Sequence, residues 1–446
     1  MAQHLSVMVV GSGAREHALS QAYEKSSQVS RVIVAPGNDF IAYLRKKEVL
    51  IDKGCSLTDP FSILSMARKY RPDLVDVAQD DALASGTVDL LQEQGFQAFG
   101  PTKMAARIEW DKKWSREFML RHQIPSPKFR YFDSAEDGIK YVTELYSQEP
   151  AKLLYTKAAG LCSGKGALKS TSLDEAVRNI GQMKHFPNQA GMVFLVEDGL
   201  IGEEFSYYTI SDGQTYRAFK SAQDNKAVFN FDEGGQTGGM GAISPAKATN
   251  GLSSEIEENF ISKAIDGMAA EEVPYLGILY LGGIVVDGKP INIEYNARWG
   301  DPECQAVLPS LETDYVDVVR ACLEGKLGEL EIKQDNQTRL CIVGASRGYP
   351  NDYSPVKGKK IYGVEEVLKM EGITLFGAGI ELRNEQFYAN GGRLFSVVAD
   401  GENILEARQR AYSAIAHLSI EGNNLHYRTD IGWRDVKKFL KESAME

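Results

Sequence analysis

The sequence predicts a multidomain chain of α/β and α+β parts: an N-terminal parallel-sheet domain over residues 1–103, a middle domain over 104–329, and a C-terminal α+β domain over 330–446. Three observations predict it. A chain of 446 residues is longer than one hydrophobic core usually serves. Apolar β-branched runs alternate with helical patterns through the first hundred residues, the layout of a parallel sheet with crossover helices. From Pro101 the pattern changes to a long helix, a small α+β unit and paired strands.

LSVMVV (5–10) is an apolar run that ends in GSGAREHALSQAYEKS, a glycine turn feeding a helix. VSRVIVAPGND repeats the strand-then-glycine layout, and PDLVDVAQDDALASGTVDLLQEQGFQAFG supplies strand, loop, helix and strand. This is a Rossmann-like arrangement, whose ligand site should lie at the strand carboxyl ends, where Gly11, Gly37 and Asp80 fall. It does not match a dinucleotide fingerprint. The sixth position of the turn is Glu16 instead of glycine, and Val32, Ile33 and Val34 stand where a ribose-binding acid belongs. Arg15, Glu16 and His17 at the helix start suit a small polar or phosphorylated substrate.

TKMAARIEWDKKWSREFMLRHQ reads as one long helix, stopped by the prolines of IPSPKF. A small lobe over about 124–192 follows: the strand LLYTK, the glycine loop AAGLCSGKGA and the helix SLDEAVRNIGQM. MVFLVEDGLIGEEFSYYTISDG reads as strand, turn, strand, and Asp287-Gly288 joins two further strands. Short strands and two helices follow residue 330; NGGR at 390–393 reads as a tight turn in preference to a cleft wall.

The net charge of −11 argues against nucleic acid or an anionic membrane as main partner. Five scattered cysteines (55, 162, 304, 322 and 341) lack CxxC spacing, which points to reduced thiols in a cytoplasm, without disulfides or zinc. The first twenty residues have no signal-peptide pattern, and no segment of eighteen apolar residues is present to span a membrane.

The middle domain gathers the chemistry. Gly160, Gly164 and Gly166 with Lys165 form a glycine-rich lid, preceded by Lys157. Glycine permits close backbone approach, and with lysines it suits phosphate. This is not a P-loop, because Gly166 follows the lysine where that motif needs Ser or Thr. Lys112 adds a second cation. Glu197 and Asp198 precede a chain reversal through Leu200, and Glu204 follows; an acid at such a hinge can hold ribose hydroxyls. Glu294 and Asn296 alternate along a strand and so share a face, offering hard oxygen ligands to Mg²⁺ bridging nucleotide phosphates.

The segments GSGAREHAL, APGND, FGPTKMAARIEWDK, KAAGLCSGKGA, GEEFS, QDNK, TGGMGAISPA, EYNARWGDPECQ, NGGR and DIGWR resemble the ATP-grasp carboxylate–amine ligases over nearly the full chain. Within them they resemble the glycinamide ribonucleotide synthetase (phosphoribosylamine–glycine ligase) family. The resemblance implies a two-lobed ATP-grasp middle domain. It implies a cytoplasmic enzyme of purine biosynthesis, monomer or homodimer, that joins glycine to 5-phosphoribosylamine through an acyl phosphate while ATP becomes ADP and phosphate. By similarity, Lys112, Lys157 and the lid 160–166 hold the phosphates, 197–200 the adenine and Glu204 the ribose, while Glu294 and Asn296 hold Mg²⁺ or Mn²⁺. Arg298, on the strand face of Asn296, would stabilise the acyl phosphate, with Lys157 and Asp301 also catalytic. Gly11, Gly13, Arg15, Glu16, Asp80, Asp224, Lys226, Gly239, Met240, Gly241, Asp301 and Glu303 would form the amine and phosphoribosyl side.

The chain departs from the family's usual pattern on that substrate side. Ala78-Gln79-Asp80-Asp81-Ala82-Leu83 stands for GPEAPL, Ala159 replaces the aspartate of KADG, and 225–236 carries two phenylalanines in place of a basic, aspartate-bearing segment. A divergent ligase for another small acid or amine, and a non-catalytic nucleotide-binding homologue, therefore stay open beside the main expectation.

Overall fold

The computed structural model describes residues 4–162 and 166–444. Five parallel strands open the chain, in the spatial order Glu48–Ile51, Val29–Pro36, Leu5–Gly11, Leu74–Val77 and Ala98–Phe99. Leu5–Gly11 is central because both neighbours pair with it: Val7 faces Val32 on one side and Leu74 on the other. Its side chains alternate between two cores, Val7 and Val9 entering one and Met8 and Val10 the other. The chain order reverses about this strand, which opens a crevice at its carboxyl end. Gly11 is left-handed (φ 142°), and a Cβ there would strike the Glu16 side chain. The space goes to a helix cap: the Gly13 N–H donates to Glu16 Oε2 at 2.6 Å, starting the helix Ala14–Lys25.

The long helix expected after Pro101 is two. Arg107–Trp110 and Lys112–Arg121 are separated at Asp111, whose extended backbone and side chain, accepting from the Trp114 N–H at 3.0 Å, cap the second helix. The break sets Lys112 at a helix start, where its N–H donates to the Ala159 carbonyl at 2.9 Å.

The small lobe is a four-stranded antiparallel sheet in the order Phe129–Phe132, Phe194–Asp198, Leu154–Ala158 and Ala167–Ser170, with the helices Ala135–Gln148 and Leu173–Met183 on its core. It therefore reaches past the expected limit near 192, because Phe194–Asp198 pairs between two of its strands. The next strand, Glu203–Asp212, belongs to a different sheet with Tyr216–Ala218, Leu276–Val286 and Lys289–Asn296. Residues 199–202 thus connect two lobes.

The last sheet contains Thr338–Ser346, Arg393–Gly401 and Ile373–Gly377, with Leu425–His426 at one side. It also takes Gln223–Asp224 and Gly241–Ser244 from the middle of the chain. Between these two strands, 227–236 folds back and docks on 426–434: Arg428, fully buried, donates to the Ala227 carbonyl (3.1 Å), Asp232 (3.0 Å) and Asp430 (2.7 Å). The C-terminal part also packs on the helix Ala14–Lys25, where the Gly377 N–H donates to the buried His17 Nδ1 at 2.9 Å. No helix among the described residues is long and apolar enough to cross a membrane.

Beneath the first sheet the Tyr23 hydroxyl donates to buried Asp76 at 2.8 Å, and burial pushes the Asp76 carboxyl up to about 7. A raised carboxyl binds its proton in the fold but not in the unfolded chain, so stability falls as pH rises from 3.8 to about 7. Asp76→Asn removes this slope and should exceed the wild type by about 2–4 kcal/mol above pH 7.5, the two converging below pH 4; denaturant unfolding across pH checks it.

Candidate active site

A cavity of about 400 Å³ lies where the lobes, the first sheet and the last sheet meet. One side of it is built around Glu197, near the end of the small-lobe strand. Lys157 Nζ lies 2.6 Å from Glu197 Oε2, and Arg116 Nε donates to Oε1 at 2.6 Å. Arg116 also donates to the Ile293 carbonyl at 2.6 Å, on the large-lobe strand. All three side chains are buried. Burial alone would raise the Glu197 carboxyl, but Arg116 and Lys157 outweigh it and hold the carboxyl at about 2. Lys112, Tyr155, Leu161, Cys162, Gly166, Asp198, Leu200 and Glu204 continue the wall. Asp198 lies 3.3 Å from Lys152, and half-exposed Glu204 lies 3.5 Å from Lys226. Burial pushes the Cys162 thiol up, which disfavours a nucleophilic thiolate. Gly164 and Lys165 lie outside the described residues. Gly160 is not in the wall; its N–H donates to the Ala190 carbonyl at 3.0 Å, anchoring the loop.

Glu294 and Asn296 enter the cavity from one strand, opposite Gly282 and Tyr280. Burial would raise the Glu294 carboxyl, yet the fields of Lys226, Lys112, Lys157 and Arg298 keep it below its ordinary value. The buried Asn296 amide has a nitrogen without a protein partner. The atom such a site would use is the Asn296 amide oxygen, not that nitrogen: an anionic carboxylate beside a neutral amide oxygen on one strand face fits Mg²⁺, which takes few protein ligands and fills its shell with phosphate and water.

Arg298 reaches the same cavity, although the strand ends at Asn296 and Arg298 lies beyond it, not on the strand face. It lies 2.8 Å from Glu109 Oε1 and donates to the Trp299 carbonyl at 3.2 Å, while its buried Nε has no partner. Glu109 Oε2 accepts from the Ala297 N–H at 2.7 Å. Burial works against the Arg298 charge, but Glu109 and Asp80 keep it protonated.

Asp80, Asp224, Asp301 and Glu303 also line the cavity, as do Arg15, Lys226 and Arg393. Glu303 accepts from Tyr280 Oη at 2.9 Å and Ser206 Oγ at 3.1 Å. Burial, then the Glu303 charge, raises the Asp224 carboxyl well above the carboxylate range, and its Oδ1 has no partner. Arg15 is tied to Glu16 at 2.6 Å and to the Trp299 carbonyl at 3.1 Å.

Several expected substrate residues are absent from the wall. Glu16 is occupied as a helix cap, with Gly11 and Gly13 giving it room. Gly239 (φ 108°) lets the chain pass against Pro302 and Asp224, Met240 is fully buried, and Gly241 begins a strand paired with Ile342. Their neighbours Gln236, Thr237 and Gly238 line the cavity instead.

Sequence models for the phosphoribosylglycinamide synthetase N, ATP-grasp (A) and C domains match residues 5–109, 110–304 and 339–434. Phosphoribosylamine–glycine ligase of Caldanaerobacter subterraneus subsp. tengcongensis is 34% identical over 430 residues, covering 96% of this chain and 99% of that protein. The chain belongs to the phosphoribosylglycinamide synthetase family. The ligase of Vibrio vulnificus is 36% identical over 97% of this chain and 99% of its own length. The human trifunctional purine biosynthetic protein adenosine-3 is 37% identical over 98% of this chain, which spans only 42% of that protein. The crystal structure of phosphoribosylamine–glycine ligase from Thermotoga maritima superposes with a TM-score of 0.79 at 27% identity, covering 96% of this chain and all of that one.

Glu109, Arg116 and Tyr280, to which the sequence assigns no role, also stand in the wall, as do Gln79 and Asp81 beside Asp80. Glu109 and Arg116 fall in what reads as one long helix, where nothing local marks a charged residue as buried. Arg393 ends the NGGR segment, where a tight turn is expected in preference to a cleft wall, yet its side chain enters the cleft. The altered 225–236 segment proves mostly remote, since its middle docks on 426–434 and only Lys226 and Gln236 reach the cavity.

Glu197→Gln keeps the shape but leaves Arg116 and Lys157 without their counter-charge. It should destabilise the fold by about 3–5 kcal/mol in denaturant unfolding at pH 7.

Proposed function

We propose that the chain forms glycinamide ribonucleotide from glycine and 5-phosphoribosylamine, with ATP and Mg²⁺, in the purine pathway of the cytoplasm. The observation that carries this is one cavity in which Lys112, Lys157 and Arg298 stand beside Glu294 and Asn296, and Asp80, Asp301 and Glu303 stand among Arg15, Lys226 and Arg393. The cations suit the phosphates and carboxylate of the reactants; the acids suit their amino groups. Membership in the phosphoribosylglycinamide synthetase family supports the same substrates.

A carboxylate is a poor acyl donor because oxide is a poor leaving group. The glycine carboxylate oxygen attacks the γ-phosphorus, the bond from that phosphorus to the bridging oxygen breaks, and ADP leaves. The phosphoribosylamine nitrogen then attacks the acyl carbon, phosphate departs, and the nitrogen gives its proton to Asp301. Lys112 and Lys157 neutralise the phosphate oxygens, and the open Arg298 Nε–H donates to the acyl phosphate as its charge develops. Glu294 and Asn296 would hold Mg²⁺, which when bound supplies further charge neutralisation along the phosphates. The two lobes supply proximity and orientation, so no protein nucleophile is required.

A ligase for a different amine is a second reading, favoured by Gln79 and Asp81 in the wall beside Asp80. Purified protein with ATP, Mg²⁺ and glycine should release ADP at steady state only when phosphoribosylamine is added. Release with another amine alone selects the second reading, and binding without turnover across an amine panel rejects both. Glu294→Gln should lower kcat by about tenfold or more and raise the Mg²⁺ requirement, with an unchanged circular dichroism spectrum.

A further inference from the structure

Resting on the ligase activity proposed above, we propose that Arg393 is a positioning residue through which the C-terminal sheet sets the acceptor side of the cavity. Its Nη1 donates to the carbonyls of Gly238 (2.5 Å) and Asp301 (2.7 Å), with Gly239 at 3.4 Å, and its Nη2 lies 3.3 Å from Asp301 Oδ2. These groups come from two loops of the middle segment that are distant in sequence. Nη1 alone therefore ties the 237–239 backbone to the Asp301 backbone, and the planar guanidinium lets Nη2 reach the Asp301 carboxylate at the same time, which a single ammonium cannot do from that position.

The arginine itself stands on a firm base. The Ser346 N–H and hydroxyl donate to the carbonyls of Gly392 and Gly391, both at 2.7 Å, and the Gly379 N–H donates to the Arg393 carbonyl at 3.1 Å. Tyr349 gives a second grip from the same part of the chain, accepting from the Gly238 N–H at 3.0 Å. Arg393 also lines the cavity, with its charge facing Asp224, Asp301 and Glu303. It offsets part of the repulsion among these acids, which keeps Asp301 and the glycine turn in one arrangement. The ATP side is built from Arg116, Lys157 and Glu197, none of which touches Arg393 through a recorded bond. Loss of Arg393 should therefore fall on the acceptor substrates and spare the nucleotide.

The test compares wild type, Arg393→Met, Arg393→Lys and Tyr349→Phe by amide hydrogen exchange and steady-state kinetics. In both Arg393 variants, exchange at 238–240 should accelerate by about tenfold or more without substrate, whereas Tyr349→Phe, which removes the acceptor of the Gly238 N–H, should accelerate exchange chiefly at Gly238. KM for glycine or phosphoribosylamine should rise by about tenfold while KM for ATP stays within about twofold. Unchanged exchange at 238–240 overturns the proposal, as does an equal rise in KM for ATP, which marks a merely structural role. If Arg393→Met does not fold, Arg393→Lys and Tyr349→Phe carry the same two measurements. If the wild type does not turn over this substrate pair, the ligase reading fails by itself. The exchange rates, with ADP affinity as the control for the nucleotide side, then decide the positioning role.

Discussion

A single buried carboxylate joins the two lobes. Glu197 ends a small-lobe strand and is gripped by Lys157 of the same lobe and by Arg116, which also holds the Ile293 carbonyl of the large lobe. Buried ion pairs add little net stability over apolar packing, but their loss of a partner is expensive, so they fix geometry more than they add stability. Here the geometry fixed is the separation of the walls between which a nucleotide would lie.

Beyond that anchor the cavity wall mixes both signs of charge. Glu294 keeps its negative charge despite burial because Lys226, Lys112, Lys157 and Arg298 all act on it. Toward Asp224 and Glu303 the acids crowd, and the Asp224 carboxyl moves the opposite way. The two responses of chemically similar groups follow from their neighbours: burial opposes both charges and Lys226 favours both, so the difference lies in the Glu303 charge beside Asp224 against the added fields of Lys112, Lys157 and Arg298 at Glu294.

The C-terminal part is structurally interleaved with the middle of the chain. Its sheet takes in Gln223–Asp224 and Gly241–Ser244, and the intervening 227–236 is fastened by Arg428. Asp224, Lys226 and Gly238 therefore inherit their positions from a sheet whose other strands lie a hundred residues or more downstream. This is why substitutions in 227–235 bear on docking between parts more than on substrate contact.

Local pattern alone determined the parallel first sheet, the Asp287-Gly288 hairpin, the pairing of Glu294 with Asn296 on one face and the family resemblance, because periodicity and short motifs are properties of neighbouring residues. The tertiary structure decided the rest. It split the helix at Asp111, withdrew Glu16 to a cap, carried Phe194–Asp198 into the small lobe, and brought Arg116, Glu109 and Arg393 into the wall. The Glu16 cap and the Asp111 break use partners three residues away, Gly13 and Trp114, but the wall residues depend on partners far along the chain: Arg298 for Glu109, Glu197 for Arg116, Asp301 for Arg393. A charged side chain in a helix or turn reads the same in sequence whether it meets water or a buried counter-charge, and only the fold supplies the second.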